Sequence, residues 1–387
     1  MITDKETNFV YFSSLIKEDE KYLPFWNRLK PILDENQIRY GFIENTRDIW
    51  CRDYMPIQKE LNDFVQFEYF PDYLLEPKFI AKLTIPAETK IADVIATKKS
   101  KLIVDGGNII KSKSIAILTD KVYDENSKLD PKTVISILKK ELGVEEIFLI
   151  PKAPYEITGH ADGMVRFLNE TDLLVADYSK ESETWKSKMD RALAKTGLNI
   201  IIYPAEIVEE KNEYGEYVAR GVYINFAQIG EVILLPQFGL KTDKIALEKT
   251  KELFSDCKVI PIMANEIAAH GGVLNCITWN IKITKKQELA KSEEARIAEI
   301  KERYKARNEL AKQVLEQYEP IVAEIIATQT KDVSLIALTL DYLLDFSFDD
   351  DILELYRKLG RQLYYIDPQV SGFYANAYFN KWSQKVD

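Results

Sequence analysis

The sequence is poor in imidazole and thiol groups, with two histidines, His160 and His270, and three cysteines, Cys51, Cys257 and Cys276, among 387 residues. An odd number of widely spaced cysteines argues against a disulfide framework and fits a reducing, cytoplasmic setting. None lies in a CxxC or Cys/His cluster, so neither a structural zinc site nor any other metal or cofactor is expected. No run of about 18 apolar residues occurs, which leaves no candidate membrane span. The opening MITDKETNFVYFSS lacks a basic stretch followed by an apolar one, so no secretory signal is expected. Basic residues are outnumbered, 52 Lys and Arg against 62 Asp and Glu, for a net charge of −10. That balance disfavours a general nucleic-acid binder and mildly favours cationic small ligands.

What is present is a loose internal repeat. Lys101 to Pro151 reads as a strand (KLIVDGGNII), a strand (SIAILTD), a helix and a strand (EEIFLI). The helix is signalled by Asp130 at its N-cap, Pro131 at its first position and Gly143 just past its end. The same order recurs in MVRFL, LLVADY, a helix bearing Trp185, Met189 and Leu193, and NIIIYP. A third copy runs through VARGVYINFAQIG, VILLPQFG, a helix opened by Thr242, and CKVIPIM. NFVYFSS, a helix around Pro24 to Gln37, and IRYGFIE belong to the first unit. The pattern predicts α/β modules around a centre, with their glycine-containing strand edges at one mouth. After Asn280 the character changes. Residues 285–319 are dense in Lys, Arg and Glu without Gly or Pro, and read as a long solvated helix that Pro320 interrupts. Further amphipathic helices follow, so the chain divides into residues 1–283 and an all-helical extension, 284–387, of no assigned role. The long charged helix offers a surface for self-association or for a partner.

Four segments stand out: Trp50-Cys51-Arg52-Asp53, Asp105-Gly106-Gly107-Asn108, Gly159-His160-Ala161-Asp162-Gly163 and His270 to Cys276. A planar guanidinium binds carboxylates through paired hydrogen bonds. Its central carbon is a poor electrophile, so attack calls for a thiolate. One imidazole held by a carboxylate can protonate departing ammonia and then deprotonate water. Cys276, His160, Asp53, Asp105 and Asp162 match that requirement. Each also has an ordinary reading: a lone cysteine is most often a small buried hydrophobe, DGG a hairpin turn, and Arg52-Asp53 a structural ion pair.

As an ordered set, WCRDYMP, DGGN, GHADG and HGGVLNC resemble the motifs of the agmatine deiminase and Porphyromonas-type peptidylarginine deiminase family, over roughly residues 1–283. The resemblance implies a five-bladed α/β propeller of ββαβ modules with a central active site. It also implies hydrolysis of a guanidinium on a small molecule or peptide through a covalent thiouronium intermediate. Cys276 would be the nucleophile, His160 the acid/base, and Asp53 and Asp162 the cation ligands, with Asp105 supporting His160 or the substrate. Asn108, Asn225 and Gly272 fall on the substrate side, and Trp50 and Arg52 on the pocket wall. The chain departs from many members in having Tyr54-Met55 after WxRD and Asn275 before the cysteine. Three rivals share parts of this pattern: an amidinotransferase, a thiol hydrolase acting on acyl groups, and a non-catalytic scaffold acting through the helical tail.

Overall fold

Short runs of Val, Ile, Leu and Phe between turn residues form strands of two to seven residues. In chain order these are β1 (Phe9–Ser13), β2 (Tyr40–Ile43), β3 (Ile57–Glu60), β4 (Asp63–Glu68), β5 (Thr97–Ile103), β6 (Ile110–Lys111), β7 (Ile115–Thr119) and β8 (Glu146–Ile150). They continue with β9 (Val165–Phe167), β10 (Asp172–Ala176), β11 (Asn199–Tyr203), β12 (Ala227–Ile229), β13 (Val232–Gln237), β14 (Lys258–Met263) and β15 (Trp279–Ile281). The structure, a computed structural model, describes residues 1–77, 79–91, 97–154, 156–206, 208–212, 215 and 217–383. The described residues divide into two units, Met1–Thr284 and Lys285–Asp387.

In the first unit the strands assemble into five three-stranded sheets: β15-β1-β2, β3-β4-β5, β6-β7-β8, β9-β10-β11 and β12-β13-β14. All five share one pattern, in which the middle strand is antiparallel to one neighbour and parallel to the other. A parallel neighbour needs a crossover. Four sheets obtain it from a helix: Leu23–Glu35, Pro131–Leu142, Glu183–Ala194 or Thr242–Leu253. In Pro131–Leu142 the Asp130 carboxylate accepts the Thr133 N–H, and Gly143 takes the left-handed conformation with φ +71°. Its inward face, Val134, Leu138 and Leu142, packs with Ala116 and Leu118 of β7. The remaining crossover, between β4 and β5, holds short 3₁₀ turns at Asp72–Leu74, Ile80–Lys82 and Pro86–Glu88.

Three sequence expectations change. KLIVDGGNII is not one strand, because Asp105 starts a 3₁₀ turn that separates β5 of one sheet from β6 of the next. The first unit of the repeat is completed from far along the chain, where β15 pairs antiparallel with β1 through Phe9 and Ile281. Pro320 does not interrupt the charged helix, which runs from Lys285 to Thr328. A proline inside a helix removes one hydrogen bond and strains the preceding turn. Here Ala311 before it and Val322 and Ile325 after it are all buried in one apolar cluster, which holds both sides in line.

The second unit continues with helices Val333–Phe346, Asp350–Ile366 and Pro368–Tyr378, each capped by an aspartate (Asp332, Asp349 and Asp367) that accepts backbone N–H groups. Leu340, Leu343, Leu359 and Leu363 form its core with Ile325 and Ile336. No helix among the described residues is long and apolar enough to cross a membrane.

Leu138 is fully buried between the Pro131–Leu142 helix and its sheet. Leu138→Ala is expected to lower the unfolding free energy by about 3 kcal/mol. Urea denaturation followed by circular dichroism measures this, and an unchanged midpoint would refute the packing described.

Candidate active site

Each of the five connections between successive sheets contributes to one place. Asp53 sits in the single turn Cys51–Tyr54 between β2 and β3, and Asp105 immediately precedes the turn Gly106–Asn108 between β5 and β6. His160 and Asp162 lie between β8 and β9, Asn225 between β11 and β12, and Cys276 between β14 and β15. Backbone bonds stitch these connections together. The Arg52 N–H donates to the Cys276 carbonyl (3.1 Å), the Asp162 N–H to the Gly107 carbonyl (3.1 Å), and the Asn275 N–H to the Asn225 carbonyl (3.0 Å).

A cavity of about 180 Å³ opens here, lined among others by Trp50, Asp53, His160, Asp162, Asn225 and Cys276. His160 Nε2 is 2.8 Å from Asp105 Oδ2, and its Nδ1 is 3.6 Å from Asp53 Oδ1. The Tyr73 hydroxyl donates to the same Asp105 oxygen at 3.1 Å. Asp105 is not among the cavity-lining residues; it stands behind the imidazole. On the other wall, Cys276 Sγ lies 3.4 Å from Asp162 Oδ2 and 3.3 Å from the Asn225 amide nitrogen.

The two cavity carboxylates are each half satisfied. Asp53 Oδ1 accepts the Gly107 N–H at 2.9 Å, and Asp162 Oδ2 accepts the Asn275 amide at 2.8 Å. Asp53 Oδ2 and Asp162 Oδ1 have no hydrogen-bond donor among the described residues. Gly107 is required by close approach, since a Cβ there would lie 2.6 Å from Asp53 Oδ1 and 2.7 Å from His160 Nδ1.

Burial dominates the electrostatics. It would push the His160 imidazole down, but Asp53 and the hydrogen bond to Asp105 outweigh it and raise the pKa to about 10. Burial raises the Asp53 carboxyl; the His160 charge opposes this, and nearby Asp105 and Asp162 add to it. Burial, reinforced by Asp162 and Asp53, holds the Cys276 thiol well above its ordinary range.

Several expected site residues are used differently. The Arg52 guanidinium turns away from the cavity, donating to the Asn275 carbonyl (3.2 Å) and to the Asn280 side-chain oxygen (2.5 Å). It ties two connections together and does not line the pocket wall. Asn108 also lies outside the lining; its side-chain oxygen accepts the Thr119 N–H at 2.8 Å and fixes the end of β7. Gly272 does line the cavity, but the room left by its missing side chain is taken by the Trp50 ring, 2.6 Å from where a Cβ would stand. Tyr54 is fully buried in an apolar cluster with Met55, and Asn275 is tied to Asp162, so neither departure faces the cavity.

Sequence reasoning missed Asp48, Tyr73 and Glu156, which all line the cavity. Asp48 accepts the Trp50 N–H at 3.0 Å, and burial raises its carboxyl to about 7. Its place two residues before Trp50 was a usable signal. Tyr73 comes from the 3₁₀ crossover, which has no periodicity to read.

Two histidines make the imidazole charge measurable by NMR. His160 is expected to stay protonated through neutral pH, and Asp105→Asn to bring its pKa down toward the ordinary imidazole value of about 6.5. Because the folded pKa is raised, the stabilisation is full below about 6.5 and is lost as pH climbs through about 10. A His160 resonance that titrates identically in both proteins would contradict this geometry.

Comparison with known proteins follows the same residues. The family model for the Porphyromonas-type peptidyl-arginine deiminase matches residues 10–281. A Streptococcus mutans relative, described provisionally as an agmatine deiminase, is 23% identical over 296 residues, covering 66% of this chain and 80% of its own. Among solved structures, a C. jejuni agmatine deiminase superposes with a TM-score of 0.59 at 18% identity, over 73% of this chain and 96% of that one. An Enterococcus faecalis agmatine deiminase gives 0.56 at 17%, over 72% and 94%. With a family model spanning the five sheets and the connections that build the cavity, the chain belongs to the Porphyromonas-type peptidyl-arginine deiminase family.

Proposed function

We propose that this protein hydrolyses a guanidinium group to a ureido group and ammonia, with Cys276 as nucleophile and His160 as acid and base. The observation that carries the reading is the pair Asp53 and Asp162, each with one oxygen held by protein and one without a donor among the described residues, in the cavity that holds the thiol. A guanidinium offers parallel N–H groups that match two such oxygens. Family membership and the agmatine deiminases among the relatives support the same reaction. The substrate class is agmatine or an arginine derivative. The five sheets are read as blades of a propeller, because their connections supply the site in turn.

The mechanism follows from the charges. The bound cation offsets the carboxylates that add to burial in holding the Cys276 thiol up, so binding favours the thiolate, and the thiol proton leaves to solvent by way of its acceptor Asp162. Sγ adds to the guanidinium carbon. His160, protonated at the outset because of its raised pKa, donates to the departing nitrogen, and ammonia leaves with the C–N bond pair. The neutral imidazole then takes a proton from water as its oxygen attacks the thiouronium carbon. Sγ departs with the C–S bond pair and takes up the remaining hydroxyl proton, which leaves the neutral ureido product and the restored thiol. Asp105 and Tyr73 keep the ring in place during both transfers.

A panel of agmatine, free arginine, an internal peptidyl arginine and a C-terminal one tests the reading, with ammonia and ureido product measured. At least one should turn over, and Cys276→Ala should lower kcat by more than about a thousandfold. A folded wild type inactive on the whole panel would refute the assignment. Tyr73→Phe removes one of the two hydrogen bonds to Asp105 Oδ2. Its kcat is expected to fall about tenfold while KM changes little. A change confined to KM would instead place Tyr73 in substrate binding alone.

A further inference from the structure

Lys121 carries a buried charge that the mechanism does not use. It opens the short helix Lys121–Glu125 that follows β7, and only 3% of its side chain is exposed. Burying an ammonium is costly unless it is paired and hydrogen-bonded. Its Nζ donates to the Thr158 carbonyl at 2.7 Å and stands 3.0 Å from Asp72 Oδ1 and 3.2 Å from Glu125 Oε1. It also lies 4.5 Å from the centroid of the Tyr73 ring, within the range of a cation–π contact. Burial would pull the amine down, but Glu125, Asp105 and Asp72 outweigh it and raise it. The side chain of Gly159 is absent where the lysine stem passes, since a Cβ there would lie 2.9 Å from Lys121 Cδ.

These contacts join two segments that meet at the imidazole. Asp72 and Tyr73 belong to a 3₁₀ turn of the β4–β5 crossover, and the Tyr73 hydroxyl donates to Asp105 Oδ2. Thr158 lies two residues before His160 on the connection between β8 and β9. The His160 side of this junction has further anchors. The Gly159 carbonyl accepts the Thr119 hydroxyl at 2.5 Å, and Glu156 accepts the His160 N–H at 3.0 Å. Asp105 is held more sparely. Its Oδ1 is buried and has no hydrogen-bond partner among the described residues, so its carboxylate is oriented through Oδ2, by Tyr73 and His160. The direction of that carboxylate thus depends on where the crossover places Tyr73.

We propose that Lys121 is a positioning residue for the deimination: its ammonium fastens the crossover to the His160 connection, which keeps Tyr73 on Asp105 and Asp105 on the imidazole. The inference rests on the reading of His160 as acid and base. Lys121 is not among the residues that line the catalytic cavity, whereas Tyr73 and Thr158 are. Its influence on the reaction therefore passes through them.

Lys121→Met keeps the length of the stem and removes the charge. On a guanidine that the wild type turns over, its kcat should fall about tenfold while KM changes less than about twofold. A double-mutant cycle with Tyr73→Phe separates positioning from a general weakening of the fold. If Lys121 acts through Tyr73, the double variant should lose less than about thirtyfold, whereas independent effects multiply to about a hundredfold. A second measurement needs no turnover. NMR follows the proton on His160 Nε2 that faces Asp105, and its exchange with solvent should quicken about tenfold in Lys121→Met. Lys121→Gln carries the same expectations if the methionine variant fails to fold. An unchanged kcat, a double-variant loss above about thirtyfold, or an unchanged exchange rate overturns the proposal. A wild type inactive on every guanidine, with faster exchange in the variant, would refute the deiminase reading and leave Lys121 as the support of the ring.

Discussion

Asp53, Asp105 and Asp162 are buried around one imidazole and one thiol, and like charges so placed repel strongly in a medium that screens them poorly. The surrounding structure is arranged to hold them there. The Gly107 N–H and the Asn275 amide each satisfy one oxygen, Tyr73 and His160 share another, and the imidazole carries the compensating charge. Burial, with the neighbouring carboxylates adding to it, raises both the Asp53 carboxyl and the Cys276 thiol. A guanidinium bound between Asp53 and Asp162, as proposed, would supply positive charge beside the Cys276 thiol. Recognition and activation are thus one electrostatic event, and a neutral isostere could fill the space without performing the second part of it.

Such a site asks for rigid support. The connections bearing these groups are short, and backbone bonds between them fix their separations. Arg52 serves this purpose rather than lining the cavity, since its guanidinium reaches the Asn275 carbonyl and the Asn280 side chain. Asn108 does similar work by closing on the end of β7. Polar residues beside a catalytic group are often spent on geometry in this way.

The same distinction explains what could be read from the sequence. Residue type and order disclosed the chemistry: a cysteine, a histidine and three aspartates in glycine-bounded segments converge in the folded chain. The direction in which a side chain turns is not encoded locally, so Arg52 and Asn108 could not be told from wall residues. The helices with caps and a buried face were legible, as Pro131–Leu142 was through Asp130 and Gly143. Strands of two or three residues, such as β6 and β15, are too short to show a period. Pro320 misled because a local helix breaker was outweighed by apolar contacts on both sides of it. Asp48 and Tyr73 escaped because their importance depends on burial and on a crossover without regular structure.

The pairing of β1 with β15 has a consequence for biosynthesis. The first sheet waits for its last strand, which is among the final segments of this unit to leave the ribosome, and Cys276 lies only a few residues ahead of it. A nascent chain that has folded four sheets still lacks Cys276, the proposed nucleophile, and the strand that pairs with β1. Any chain released before that point lacks the proposed nucleophile and is left with an unpaired edge on β1. The residues that complete the first sheet are thus the same stretch that completes the cavity.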